Sequence, residues 1–138
     1  MSDYTVKRFE DMEPILGGFF LRARAALEAS SFGMQVLQMP PNGGDFYPNH
    51  DHADTGMEEV YVVLGGEADF QIEGVDEPVH AGPETAIRVG PTTHRKIIPG
   101  PEGVRILALG GIPGAAYEVP AFTELGGPEP VPDPARIA

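Results

Sequence analysis

The chain contains no cysteine. Disulfides and cysteine nucleophiles are thereby excluded, and a reducing compartment, the cytoplasm, is the expected location. Serine is scarce: Ser2, Ser30 and Ser31 are the whole supply, and none sits in a G-x-S-x-G elbow. Neither a P-loop nor a G-x-G-x-x-G turn is present, so no glycine-rich phosphate cradle is expected. Basic residues are few, 9 against 21 acidic ones, for a net charge of -12. Such a surface repels phosphate backbones and anionic lipid, which argues against nucleic acid or membrane as partners. No apolar run approaches a membrane span, and the first five residues carry neither the basic nor the apolar region of a signal peptide. Carboxylates are plentiful, yet nothing in their placement points to a glycosidase pair.

Glycine and proline, by contrast, are abundant, 18 and 15 in 138 residues. Short strands joined by Gly/Pro turns produce such counts, and the length suits one domain with a proper core. Residues 1–14 read as a lead-in arm. Residues 19–31 read as a strand running into a short helical turn, with Ala23 to Ala29 as its helix formers. A strand is expected over residues 32–39 and is stopped by Pro40-Pro41-Asn42-Gly43-Gly44. Further strands are expected at 50–52, 59–64, 67–73, 79–81, 85–89, 94–98 and 104–109. Gly65-Gly66 and Pro99-Gly100-Pro101 are read as turns between them. Beyond Gly111 the chain is proline-rich, which suits a wrapping arm rather than central strands.

The densest chemistry lies in the stretch HDHADTGMEEVYVVLGG, from His50 to Gly66. In an extended segment His50 and His52 point one way and Asp51 the other. Two imidazoles on one face can close on a metal ion, and Glu58 or Glu59 at the head of the next strand can supply a carboxylate. Spacing to Gly66 favours Glu59. His94, in AGPETAIRVGPTTHRKI, is a fourth candidate. His80, outside both stretches, reads as a surface residue. Tyr61 lies in phase with Glu59 and is a candidate to place a hydroxyl near the metal, while Val63 in the same phase reads as core. Phe46 and Tyr47 are candidates to line the mouth. For Arg88 and Arg95 the plainer expectation is solvated surface, with anchoring of an anionic substrate as the alternative.

These two stretches resemble the paired motifs of the cupin superfamily. Gly44, His50, His52, Glu59 and Gly66 fill the first motif; Gly82, the Gly90-Pro91 turn and His94 fill the second. The gap from His52 to Glu59 is longer than the family's, the stretch from Gly82 to His94 is longer than the family's by one residue, and Ile98 stands where some members have Asn. The likeness covers roughly residues 33–110. It implies an all-β, cupin-type double-stranded β-helix, or jelly-roll, barrel over about 33–111. A short N-terminal element precedes it, and residues 112–138 form a Pro-rich arm. It also implies one divalent transition metal (Fe, Mn, Ni, Zn or Cu) on His50, His52, Glu59 and His94, a small-molecule substrate or ligand, and a homodimer. Dioxygenase-like chemistry is the first expectation. Isomerase, lyase or cyclase chemistry, and non-catalytic ligand binding, are the alternatives.

Overall fold

The computed structural model describes residues 3–41 and 47–130. Seven strands and one short helix follow in the order β1 Pro14–Ile15, β2 Phe20–Leu21, α1 Ala23–Leu27, β3 Gly33–Met39, β4 Glu58–Ile72, β5 Val79–Ala81, β6 Ala86–Val89 and β7 Arg95–Gly111. All pairings are antiparallel, and the strands run in the order β1-β2-β3-β7-β4-β5, with β6 also on β4. The expected strand-into-helix reading of 19–31 holds. The helix ends where Glu28 adopts a left-handed conformation, with φ 61°.

Two expected turns are absent, and their absence shapes the barrel. Strand β4 passes straight through Gly65-Gly66, and β7 passes through Pro99-Gly100-Pro101. The residues act as bulges instead: the β4–β7 register shifts between Val63 and Gly65 and again between Gly66 and Ala68. Gly66 has φ +71°, and a Cβ there would overlap the Gly103 carbonyl oxygen. Glycine alone lets the two backbones approach this closely. Pro99 is tolerated because it sits beside this interruption in the ladder. The first half of β4 pairs with β6 and the end of β7, and its second half pairs with β5 and the start of β7. One bent pair of strands therefore serves both walls.

The core follows from strand alternation. Leu37, Tyr61, Val63, Phe70, Ile97 and Ile106 face inward and are buried. A second cluster, Met12, Leu21, Ala23 and Val36, seals the outer face of β3 under α1.

The chain after β7 is tied back to the N-terminal segment. Arg22, 1% exposed, bonds the carbonyls of Phe122 and Gly127 at 2.8 and 2.9 Å and pairs with Glu13. Glu13 in turn accepts from the Gly126 N–H at 2.9 Å. That N–H, followed by the Arg22 charge, holds the Glu13 carboxyl below its ordinary value against the opposing pull of burial. A carboxylate with a depressed folded value stabilises the fold above its unfolded pKa, and that contribution fades as pH falls through the folded value. Acidification below pH 4.5 is therefore expected to free the arm while the barrel persists. Limited proteolysis should then cut between residues 112 and 130, as it should at neutral pH in Arg22→Met. An arm equally resistant in both conditions would contradict this.

Candidate metal centre

His50, His52 and Glu59 converge. One donor atom from each lies within 4.8 Å of the others. Glu59 comes from the rigid start of β4. The histidines come from a looser segment fixed by three backbone bonds: His50 and Arg95 exchange N–H···O bonds at 3.1 and 2.9 Å, and the His52 N–H reaches Pro91 O at 2.7 Å. The expected strand at 50–52 is thus a single bridge, yet the two rings still meet edge to face, 4.9 Å between centroids.

Two of the donors, on His50 and Glu59, are aimed by a neighbour outside the group. The His50 Nδ1 donates to the Pro48 carbonyl at 2.9 Å, which leaves Nε2 with a lone pair for a ligand. The His52 Nε2 lies 3.2 Å from the Glu59 Oε1. Nitrogen and oxygen ligands of a transition ion bind at about 2.0–2.2 Å, so atoms this close could both reach one ion. The Tyr61 hydroxyl donates to the same Glu59 oxygen, and the Tyr47 hydroxyl stands 3.1 Å from that of Tyr61. Burial lowers the His50 pKa and so favours the neutral, ligating ring. Burial works to raise Glu59, but the His52 and Tyr61 bonds outweigh it, and its carboxyl stays below the ordinary range. Burial also pushes the Tyr47 and Tyr61 hydroxyls up, so both remain protonated donors.

Of the two candidate carboxylates, Glu59 faces inward. Glu58 is on the outer face, 3.2 Å from Arg88. His94 does not join the group: its Nε2 lies 3.2 Å from Asp51, and its side chain is 45% exposed. The reason is register. Arg95, opposite His50 in the bridge, takes the inward position, and alternation turns His94 out to the face that Asp51 occupies. His80 is a surface residue bonded to Asp69 at 2.8 Å, as expected. Gly44 and Phe46 lie outside the described residues; Tyr47 is buried in the core cluster.

Arg88 is solvated, as expected, but Arg95 is not. It is fully buried, and among the described residues its guanidinium makes only long bonds, 3.3–3.5 Å, to the carbonyls of His50, Val89 and Gly90. No carboxylate pairs with it among the described residues. The burial of Arg95 could have been read from its phase with Ile97. Two other neighbours of the site escape sequence reasoning. Met57 packs its sulfur where a Gly110 Cβ would stand, and Tyr117 does the same at Gly33. Tyr117 is one of two aromatics in the proline-rich tail, with Phe122, and that was its only signal.

The strand arrangement is a cupin-type fold. A cupin protein from Bacteroides fragilis superposes with a TM-score of 0.64, at 17% identity, over 87% of this chain and 93% of its own. An RmlC-like cupin from Desulfovibrio desulfuricans matches with 0.52, at 20% identity, over 77% and 89%. The DMSP lyase DddQ from Ruegeria pomeroyi DSS-3 is 27% identical, with a TM-score of 0.53 over 70% of this chain. The match takes in 46% of that enzyme, so the chain spans less than half its length. No family model matches the chain, and no curated protein does. No helix among the described residues is long and apolar enough to cross a membrane.

Proposed function

We propose that the barrel holds one divalent transition-metal ion on His50, His52 and Glu59 and acts enzymatically on a small oxygenated organic molecule. The observation that carries this reading is the donor group itself, three ligating atoms within 4.8 Å of one another, with His50 and Glu59 each oriented by a further partner. Imidazole and carboxylate together suit Mn, Fe, Co, Ni, Cu and Zn. Three protein ligands leave positions for a chelating substrate. Such an ion would supply either dioxygen activation or Lewis-acid polarisation. The chain's own residues do the rest. Tyr61 holds Glu59 in place and is the candidate proton donor, Tyr47 supports Tyr61, and buried Arg95 adds positive charge beside His50. Polar groups beyond the ligands favour catalysis over passive binding.

Dioxygenase-like turnover is the first reading. The likeness to a protein named as a lyase favours non-oxidative Lewis-acid chemistry as the second. Oxygen uptake by the iron(II)-loaded protein with a panel of enols, catechols and hydroxy-acids tests them. Uptake is expected; turnover that persists without oxygen would transfer the protein to the second reading. Ligand binding without any turnover would make it a binding module. We place the protein in the cytoplasm as a homodimer, with the N-terminal and proline-rich arms covering a neighbour's sheet edge.

A further inference from the structure

The interior row at the level of Glu59 is nearly bare. Gly33 pairs with Gly110, Gly110 with Glu59, and Glu59 with Val89. Residues directly opposite in an antiparallel ladder share a face. Leu37, Ile106 and Val63, in phase with this row, are all in the barrel core, so the row faces inward. Two adjacent strands thus offer no side chain beside a proposed metal ligand.

The space is taken by residues from other segments: the Met57 sulfur stands 2.6 Å from where a Gly110 Cβ would be. The Tyr117 hydroxyl stands 2.6 Å from where a Gly33 Cβ would be, so the segment after β7 lays this ring across the glycine. Tyr117 is half-buried, and its hydroxyl makes no hydrogen bond among the described residues. Burial raises its pKa, which keeps it a donor. Two residues along β3 on the same face, about 7 Å away, lies Gln35. It shares a row with Ala108 and Tyr61 and is 8% exposed. Its Oε1 accepts from the Ala23 N–H at 3.1 Å, but its Nε2 is buried with no partner. A buried amide left unsatisfied is rare in a folded protein and calls for an explanation.

We propose that Tyr117 and Gln35 form an acceptor subsite beside the His50–His52–Glu59 group, taking a carboxylate or carbonyl oxygen on the part of the ligand remote from the metal. This rests on the metal-centre reading and names the substrate class more closely: an oxygen chelate with a further acceptor attached. The arm then contributes directly to ligand selection, and Gly33 is the seat that admits its tyrosine.

The test uses the manganese(II)-loaded full-length protein with glycolate and malate, which differ by a second carboxylate, as probes. Manganese occupancy is read by electron paramagnetic resonance and ligand affinity by calorimetry. Wild type should bind malate about tenfold more tightly than glycolate, and Tyr117→Phe should remove that advantage while leaving glycolate and manganese binding unchanged. Gly33→Ala should match Tyr117→Phe, because the new methyl displaces the hydroxyl; Gln35→Leu provides the second arm if Gly33→Ala folds poorly. Equal malate affinity in wild type, Tyr117→Phe and Gln35→Leu, with manganese bound in all, would overturn the subsite and leave the metal centre standing. Failure of wild type to bind manganese would overturn both.

Discussion

His52→Ala and Glu59→Gln should each lower metal affinity by more than about 100-fold, the largest functional effect expected of any single change in the chain. Losing a residue that merely orients a ligand costs about 10–100-fold, so losing a ligand should exceed that range. Tyr61→Phe tests the lower range: it removes the hydroxyl that donates to Glu59 but leaves the ring packed against Phe70, 5.4 Å between centroids. His94→Ala should change metal affinity less than twofold, since its nearest charged partner is Asp51 on the outer face. Elemental analysis of the purified variants, followed by competition with a chelator, ranks all four. A His94 variant that loses metal while the Glu59 variant keeps it would reverse the proposed ligand set.

Gly66→Ala should be the most destabilising single substitution outside the site, by more than about 4 kcal/mol, a size reached only when a special backbone position or a core is disrupted. Two effects combine. An alanine at φ +71° pays the left-handed conformational cost, and its Cβ overlaps the Gly103 carbonyl oxygen on the partner strand, a backbone atom that cannot rotate away. Domains of this size have about 5–15 kcal/mol in all, so the variant should sit at the edge of unfolding. Gly65→Ala is the internal control: a Cβ there meets nothing within 4 Å and its φ is not positive, so a change within about 1 kcal/mol is expected. Urea midpoints of the two variants decide the matter, and equal midpoints would refute the argument.

Much of this was legible in the sequence because alternation is a strong signal. The phase of Tyr61 with Glu59 and the inward pointing of His50 and His52 follow from a period of two. Which of Glu58 and Glu59 faces inward was open in the residues, since both faces of β4 are apolar further along; pairing with Val89 and Gly110 on one side and Arg88 on the other puts Glu59 inside. The failures have one cause. Gly65-Gly66 and Pro99-Gly100-Pro101 carry turn residues, and local chemistry cannot distinguish a turn from a bulge when a long-range partner strand takes up the register shift. The same blindness displaced His94: a motif match places a residue near the right position, but one step of register exchanges the two faces, and Arg95 took the inward one.

The proposed ligands also belong to parts of the chain with unequal resistance to opening. Glu59 sits on a ladder shared by β4, β6 and β7, whose amide protons should exchange only when much of the barrel comes apart. His50 and His52 hang on one bridge and one further backbone bond, a segment free to breathe without the rest. An ion gripped by both would staple the loose segment to the firm one, so loading and local rigidity become a single equilibrium, and whatever withdraws the ion also opens the doorway.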